Sequence, residues 1–535
     1  MSGLVLTPLQ PALSSISCPS SSEDDPYDPT ITDQNSAEIV GSRVFGNRQR
    51  CLPDKAPYHP LDVHTRLQNH PTLESMMKLN YCVLFTDYVQ SCKYESCRFL
   101  VATRNIKADE IIIDAEEALA VGPKQATHPV CLNCYRRVDG TYLCPRCQWP
   151  LCSEVCGQLE NGLHQKFECE VLASQNAHPT KEELEQDDCR LYDCITPLRI
   201  VLDNHSHPDR SRLWLGLEDH RLYRQKVGIW HVDHQTVVDP VRIKWQLGES
   251  INEEELQRAC GILEVNAFEV CDDEKTISAR AVYSHACLMA HDCVPNTACS
   301  VNPATQRMTV RAAVDIPAGQ MITTSYTFTL DGTLRRRSHL KETKFFDCCC
   351  PRCCDPTELG SHLSSLACPR CSGRNYTVPE DPLNPASYWK CQGEKCGNRI
   401  GSSQVNQLLS CLQRKADELN YDDFQGLEIF IETWSSSILH PNHSLLIGIK
   451  YYLCHFYGNA PGFLLKEMSL RFLIRKMKLC EELLNIARIL EPGASNFHCS
   501  LLKEFELAEN ELAERVTTTE DEEEEENDFE TIHDE

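Results

Sequence analysis

The cysteines of this chain are the feature that most limits how it can fold. There are 32 of them among 535 residues, and many fall into three clusters with short, regular spacings. Clustered cysteines can form a disulfide scaffold, metal sites or a set of buried thiols. The first residues, MSGLVLTPLQPALSSISCPSSSEDD, lack the basic region and the continuous apolar region of a secretory signal. We therefore expect an intracellular chain in a reducing compartment, where free thiols favour zinc over disulfides.

The first cluster contains eight ligands within about 40 residues, as many as two tetrahedral zinc ions require. They are Cys131, Cys134, Cys144, Cys147, Cys152, Cys156, His164 and Cys169. Pairs of ligands that alternate along the chain predict an interleaved module that is too small to fold on apolar burial alone. Residues 131–169 are therefore predicted to be a zinc finger with two ions.

Two more clusters follow toward the C-terminus. The run FFDCCCPRCC has C-x-C-x2-C spacing and lacks a fourth ligand, for which Cys293 in AHDCVPN is the candidate; the four are Cys293, Cys348, Cys350 and Cys353. Cys349 and Cys354 are then surplus structural thiols. The last cluster has zinc-ribbon spacing, with 19 residues between its pairs: Cys368, Cys371, Cys391 and Cys396. We expect one zinc in each cluster.

The rest of the chain indicates an α+β protein. Residues 1–60 are rich in Ser, Pro, Asp and Thr and are predicted to be disordered. Strand-like patterns lie on both sides of the first cysteine cluster, at 79–130 and 265–330, which indicates one β-rich domain split by insertion. Residues 170–264 and 401–517 have helical spacing. It is seen in Leu256, Cys260 and Leu263, which follow acids suited to a helix start, and in the single buried face predicted for Val405, Leu408, Leu409, Leu412, Ala416 and Leu419. The tail, 518–535, carries eleven acids and no Lys or Arg, so we expect it to be disordered and extended.

Charge and hydropathy exclude two classes of partner. The net charge of −26 argues against direct nucleic-acid binding, which depends on clustered Lys and Arg. No stretch approaches the roughly 20 apolar residues of a membrane span. No basic cluster makes a firm nuclear signal, so we expect the protein in the nucleus and the cytoplasm.

Four segments carry a resemblance to a known family: RFLVATRNIKADE, VNAFEV, AHDCVPNTACS, and RAAVDIPAGQMITTSY, which ends at Tyr326. They resemble the SET domain of the SET and MYND proteins, and the match looks closest to the arthropod type. The resemblance covers roughly residues 90–400 and implies a SET domain (79–130 and 265–330) split by a MYND finger (131–169) and a helical insertion (170–264). Post-SET and ribbon-like cysteines (331–400) and a helical C-terminal domain (401–517) complete the implied architecture.

The same resemblance implies how the zinc ligands are shared. One finger zinc would be held by Cys131, Cys134, Cys152 and Cys156, and the other by Cys144, Cys147, His164 and Cys169. The post-SET zinc would be held by Cys293 together with Cys348, Cys350 and Cys353. The finger and the C-terminal helices would bind protein partners.

The implied activity is transfer of a methyl group from S-adenosylmethionine to a lysine of a protein, either a histone tail or another substrate, in the regulation of gene expression. Tyr326 would place its hydroxyl at the methyl-transfer end of the lysine channel. The implied cofactor-binding residues are Arg98, Asn266, Ala290, His291 and Phe346.

Three differences from the family pattern leave a second function to be tested. Cys97-Arg98-Phe99 stands where the family has glycine-flanked backbone, and glycine there lets the backbone approach the ligand. Ala290 replaces an asparagine and cannot hydrogen-bond the cofactor, and Asp292 replaces the neighbouring serine. The alternative is an adaptor of the same fold that recruits partners without catalysis. A sequence-specific DNA-binding protein is disfavoured because the finger has few basic residues.

Overall fold

The computed structural model describes residues 81–86 and 97–531, apart from 160–161, 187, 209–212, 215, 272–276 and 436. The segment predicted to be disordered, 1–60, lies outside these residues. Side chains are described from Phe99 to residue 517, with the same gaps.

Short strands build the domain that flanks the first cysteine cluster. The strands are β1 (Tyr81–Thr86), β2 (Cys97–Ala102), β3 (Ile111–Glu116), β4 (Ala118–Pro123), β5 (Phe268–Val270), β6 (Ala279–Tyr283), β7 (Ala290–His291), β8 (Thr297–Val301), β9 (Met308–Ala312) and β10 (Thr323–Thr324). Two three-stranded antiparallel sheets have the orders β3-β9-β8 and β4-β6-β5. In addition, β1 pairs with β2 antiparallel, and β7 pairs with β10 in parallel. Their inward residues form one apolar core that includes Leu100, Ile113 and Tyr283.

The cysteine-rich segment is inserted between two strands of one sheet. β4 ends at Pro123 and the next strand of that sheet along the chain, β5, begins at Phe268, so residues 124–267 leave and re-enter the same sheet. The insertion contains α1 (Glu154–Gly157), α2 (Leu163–Lys166), α3 (Cys169–Ser174), α4 (Lys181–Leu184), α5 (Ile195–Ser206), α6 (Arg221–Lys226), α7 (Ile229–Asp233) and α8 (Glu253–Asn266). A single buried cluster joins the finger to these helices through residues such as Trp149, Leu198 and Trp245.

Helix α8 forms where the sequence predicted it. Asn252 precedes the helix, and its side chain accepts a hydrogen bond from the backbone N–H of Glu254. The acids of the first turn suit the positive end of the helix dipole. The predicted face of Leu256, Cys260 and Leu263 is buried. The helix ends at Asn266, two residues before the short strand β5.

The second group of cysteines leads into a small sheet. α9 (Thr333–Thr343) and α10 (Pro351–Cys354) precede a four-stranded antiparallel meander of β11 (Leu366–Ala367), β12 (Tyr376–Pro379), β13 (Trp389–Cys391) and β14 (Arg399–Ile400). This meander places the two ribbon-type cysteine pairs at one end of the sheet.

Five helices follow and share their own apolar cluster. They are α11 (Ser402–Asp417), α12 (Phe424–Trp434), α13 (Ser444–Asn459), α14 (Leu470–Leu490) and α15 (Asn496–Thr531). Of the residues predicted to form the buried face of α11, Val405, Leu412 and Ala416 are buried. Among the described helices, none combines the length and the apolarity needed to cross a membrane.

The acidic segment differs from our expectation. Helix α15 continues through the run of acids to Thr531, whereas we predicted an extended tail over 518–535. Glutamate has good intrinsic helix propensity, and a helix that has already formed at 496–517 needs only to be extended. Like-charge repulsion is therefore not enough to end the helix before the acidic run.

Candidate active site and metal centres

A cavity of about 600 Å³ lies beside the predicted catalytic tyrosine. The end of α8 contributes Asn266, β5 contributes Phe268, and the segment after β10 contributes Tyr326. Cys287 and Lys344 also line it. Small-molecule sites commonly have volumes of about 300–1,000 Å³, so the cavity is large enough for a ligand.

Tyr326 is held from two directions. Its hydroxyl donates a hydrogen bond to the carbonyl oxygen of Met289, and its backbone N–H donates to Nδ1 of His291 at 3.0 Å. Burial raises the pKa of the Tyr326 phenol above its usual range. The phenol therefore stays protonated, and its oxygen keeps a free acceptor site because its proton is directed toward Met289.

His291 connects Tyr326 to a cysteine cluster. Because Nδ1 accepts from the backbone of Tyr326, the neutral ring carries its proton on Nε2, which lies 3.3 Å from Sγ of Cys293. The ring of Phe346 lies 5.8 Å from that of His291. The structure thus brings His291, Phe346 and Tyr326 together, and of these three residues Tyr326 lines the cavity.

The side chains of Asn266 and Lys344, which lie at the C-terminal end of α8, already donate hydrogen bonds to backbone carbonyls. The Asn266 amide donates to the carbonyl oxygens of Glu218 and Ile262, both at 2.9 Å, so only its oxygen is available to accept a hydrogen bond from a ligand. Lys344 donates to the carbonyl oxygens of Glu264 at 2.6 Å and Val265 at 3.2 Å. Burial lowers the pKa of Lys344, and these contacts satisfy carbonyls at the C-terminal end of the helix.

The other predicted cofactor residues lie away from the cavity walls. Ala290 is paired with Thr323 in the parallel strands β7 and β10, and the backbone of Arg98 lies on β2 opposite Phe85. Phe99 is buried. Among the described residues, the cavity lining includes Asn266 and Tyr326 but not Phe99, Ala290, His291 or Phe346.

The third predicted quartet lies next to His291. The sulfur atoms of Cys293, Cys348, Cys350 and Cys353 all lie within 4.8 Å of one another. Arg336 is fully buried beside them, with Nε 3.3 Å from Sγ of Cys293 and a salt bridge of 2.7 Å to Glu358. Arg352 also pairs with Glu358, at 3.0 Å. Thiolate ligands carry negative charge, so these buried arginines suit an anionic four-sulfur centre.

The finger brings its eight ligands together in two groups. The first group is Cys131, Cys134, Cys152 and Cys156, and the second is Cys144, Cys147, His164 and Cys169. Pairs in the two groups include Cys134 with Cys152 at 3.6 Å and Cys144 with Cys169 at 3.7 Å. The grouping alternates along the chain, as the interleaved arrangement requires.

A buried chain of polar groups extends from the second finger group, and sequence analysis did not identify it. Nδ1 of His164 lies 2.8 Å from Glu168, whose carboxylate accepts a hydrogen bond of 2.7 Å from Nε of Arg199. Arg199 also donates to the Val121 carbonyl at 2.9 Å and to the Tyr135 hydroxyl at 2.7 Å. A carboxylate on the outer nitrogen of a ligating histidine fixes its tautomer and orientation. The chain therefore links a candidate metal ligand to strand β4.

The last quartet lies at one end of the four-stranded meander. Its members are Cys368, Cys371, Cys391 and Cys396. Sγ of Cys368 is 3.6 Å from Sγ of Cys396, and Sγ of Cys371 is 3.8 Å from Sγ of Cys391. The side-chain amide of Asn398 donates to Cys368 at 3.7 Å.

All four quartets fit a tetrahedral zinc ion. A Zn–S bond of about 2.3 Å places the sulfur atoms of a tetrahedron about 3.8 Å apart. Seven sulfur pairs within the quartets are separated by 3.3–4.0 Å, close to that edge length, and all ligand atoms of a quartet lie within 4.8 Å of one another. The donor sets, four cysteines or three cysteines and a histidine, are those of structural zinc sites.

Comparison with known proteins shows what part of the chain is similar to the SET domain. Residues 98–327 match the family model of the SET domain. "SET domain-containing protein SmydA-8, isoform A" of Drosophila melanogaster is 30% identical over 305 residues, which cover 55% of this chain and 62% of the relative. "N-lysine methyltransferase SMYD2" of Gallus gallus is 24% identical over 264 residues, covering 48% and 57%. The chain thus spans less than two thirds of the length of these curated relatives.

One solved structure also matches over much of its length. It is the "Crystal structure of the SET domain of LSMT bound to Lysine and AdoHcy", with 14% identity and coverage of 83% of this chain and 93% of that one. The TM-score is 0.24, which is too low to support a shared overall fold.

Proposed function

We propose that this chain, a SET-domain protein of the SET and MYND family, is an S-adenosylmethionine-dependent protein-lysine N-methyltransferase. The observation that carries the proposal is the position of Tyr326. Tyr326 lies on the wall of a ligand-sized cavity, at the end of the SET segment, and its hydroxyl proton is directed to a backbone carbonyl. Such an oxygen can accept a hydrogen bond from the amine of a lysine that enters the cavity.

The chain's own residues would hold and orient the reactants. Asn266 would accept a hydrogen bond from the cofactor, Phe346 would stack on its adenine, and Arg98, Ala290 and His291 would contribute backbone groups. S-adenosylmethionine, when bound, supplies the methyl group from its sulfonium. Positioning of this kind accounts for most of the rate enhancement when two reactants are brought together.

Tyr326 would hold the lysine amine rather than remove its proton. A phenol whose pKa is raised is a donor or acceptor of hydrogen bonds but not a ready source of phenolate. Loss of the lysine proton is instead favoured by desolvation, because a buried amine has a lowered pKa. Phe268 and Tyr326 give the cavity aromatic walls that exclude water from the amine.

The four cysteine quartets would bind zinc: two ions in the MYND finger, one beside the SET core and one in the ribbon-like meander. The third quartet would brace the methyl-transfer site directly, since His291 contacts both Cys293 and Tyr326. The finger and the C-terminal helices would bind protein partners. We further propose a lysine-containing protein substrate, histone or not, a role in gene regulation, and residence in both nucleus and cytoplasm.

Calorimetric titration of the zinc-loaded full-length protein with S-adenosylmethionine tests the cofactor assignment. We expect micromolar binding that is retained in Tyr326→Phe, because the phenol would face the lysine, and weakened in Phe346→Ala, which removes the ring proposed to stack on the adenine. Absence of binding by a folded, zinc-loaded protein would contradict the proposal.

Absence of binding would instead favour an adaptor of the same fold. Two observations favour this second function. Ala290 on β7 is apolar where the family has an asparagine, and Phe99 on β2 is buried where the family has glycine-flanked backbone. A polar contact that is lost in this way costs about 1–3 kcal/mol of binding free energy.

A further inference from the structure

The end of strand β3 is irregular at Glu116. Ile113 pairs with Val310 and Glu116 pairs with Met308, so three residue steps on β3 match two on β9. Ala115, inside this bulge, has a φ of +45°. Bulges redirect the side chains next to them and are often found near active sites. This one turns the Glu116 side chain inward, where only 8% of it remains exposed.

The Glu116 carboxylate organises the turn after β6. One oxygen accepts hydrogen bonds from the Ser284 hydroxyl and the backbone N–H of His285, both at 2.8 Å, and the ring Nδ1 of His285 lies 3.1 Å from it. The other oxygen accepts from the backbone N–H of Ala286 at 3.2 Å. Burial opposes ionisation, but the hydrogen bonds from His285 and Ser284 outweigh it and lower the pKa of Glu116. The carboxylate thus acts like a helix cap for the short 3-10 turn Ala286–Leu288.

That turn ends at the hydrogen-bond partner of Tyr326. The backbone N–H of Met289 donates to the carbonyl of Ala286 at 3.1 Å, and the Met289 carbonyl accepts the Tyr326 hydroxyl. Cys287, in the middle of the turn, lines the same cavity as Tyr326. The position of the phenol oxygen therefore depends on the position of a turn that Glu116 fixes at its other end.

We propose that Glu116 is a positioning residue for Tyr326 and acts through the turn from Ser284 to Met289. Its effect on catalysis rests on the methyltransferase function proposed above, whereas its effect on the Tyr326 hydroxyl does not. Glu116 itself is not among the described residues that line the cavity, so it orients the phenol without contacting a substrate there.

Replacement of Glu116 by glutamine tests this role. The amide has nearly the same size but only one acceptor oxygen, and its NH2 group faces N–H and O–H donors of the turn. The turn must shift to relieve this conflict, because buried donors that lose their acceptors are costly. The matched control is Glu117→Gln, since Glu117 is the exposed residue that directly follows β3 and pairs with Arg307 at the surface.

Two readouts are needed. In methyl transfer to a lysine peptide, Glu116→Gln should lower kcat by about ten- to a hundredfold, because small misplacements of a positioning group have effects of this size. The KM for S-adenosylmethionine should stay near the wild-type value, and Glu117→Gln should match wild type. In the second readout, 3-fluorotyrosine is placed at position 326, and its ¹⁹F resonance should move in Glu116→Gln but not in Glu117→Gln.

The outcomes separate the two proposals. If the wild-type protein methylates nothing but the ¹⁹F resonance moves as expected, the positioning role stands and the enzyme assignment fails. An unmoved resonance, or equal effects of the two glutamine variants, would overturn the positioning role. If Glu116→Gln does not fold, Glu116→Asp and Ser284→Ala decide: each should move the resonance and reduce kcat less severely, and no change in either would refute the proposal.

Discussion

Replacement of Arg199 by methionine is expected to be one of the most destabilising single changes in the finger region. Arg199 is fully buried, and its guanidinium makes hydrogen bonds to Glu168, Tyr135 and the carbonyls of Val121 and Leu132. Methionine fills a similar volume but leaves the buried Glu168 carboxylate without its cation. Removal of one partner of a buried ion pair costs about 3–5 kcal/mol of unfolding free energy.

The same change should weaken zinc binding by the second finger group. Arg199 holds the Glu168 carboxylate, and that carboxylate orients His164. Loss of the support behind a metal-binding histidine commonly reduces metal affinity about 10–100-fold. Urea denaturation of the zinc-loaded protein gives the stability change, and competition with a chromophoric chelator gives the affinity of the most weakly held ion. The control is Arg221→Met, which breaks an exposed pair with Glu254 and should change stability by less than about 1 kcal/mol.

A second variant separates charge from packing. Glu168→Gln combined with Arg199→Met removes both charges, so the double variant should be more stable than Arg199→Met alone, because no unpaired carboxylate remains. If Arg199→Met were no more destabilising than Arg221→Met, or left zinc affinity unchanged, the link from finger to strand β4 would be refuted.

Three further perturbations have defined outcomes. Gly493 has a φ of +82°, and in Gly493→Ala the new Cβ would lie 1.8 Å from the Ala313 carbonyl oxygen. The control is Gly462→Ala, at a position with a similar φ of +78° but with open space around it. The thermal midpoint of Gly493→Ala should be well below that of the control. Burial lowers the pKa of His443 to about 4, whereas a histidine of the unfolded chain has a pKa of about 6.5. Between these values the unfolded state binds more protons than the folded state. The free energy of unfolding should therefore fall as the pH drops from 7 to 5. His443→Asn, which keeps a capping side chain for α13, should flatten that dependence in urea titrations at several pH values; an unchanged slope would contradict it. Chelation of zinc should expose residues 131–169 to trypsin before the C-terminal helices, which bury their own apolar cluster; simultaneous cleavage would contradict this order.

The spacing of residues along the sequence predicted the clusters of metal ligands and two of the helices. The cysteine and histidine spacings identified the ligand clusters, and the family resemblance divided sixteen ligands into four sets, which are the sets that lie together. The periodicity of Leu256, Cys260 and Leu263 predicted α8, and the spacing of Val405, Leu412 and Ala416 predicted α11, because a helix repeats on a fixed period.

Contacts between distant segments could not be predicted in this way. Arg199 lies 31 residues from Glu168, and Glu116 lies 169 residues from His285, so no local pattern connects either pair. The four-residue step from His164 to Glu168 was the one available signal, since residues at that spacing can share a helix face. The amide of Asn266 was assigned to the cofactor by resemblance, whereas its N–H groups cap backbone carbonyls of α8 and a neighbouring loop.

The most direct test of the proposed function is methyl transfer itself. The zinc-loaded full-length protein would be incubated with S-adenosylmethionine carrying a deuterated methyl group and a library of lysine peptides and histones, and the products read by mass spectrometry. We expect a labelled methyl group on lysine in a subset of substrates, and a loss of about a hundredfold or more in Tyr326→Phe at unchanged cofactor affinity. Labelling that persists at the wild-type rate in Tyr326→Phe would contradict the role of Tyr326. No labelling of any lysine by a protein that binds the cofactor would contradict the methyltransferase assignment.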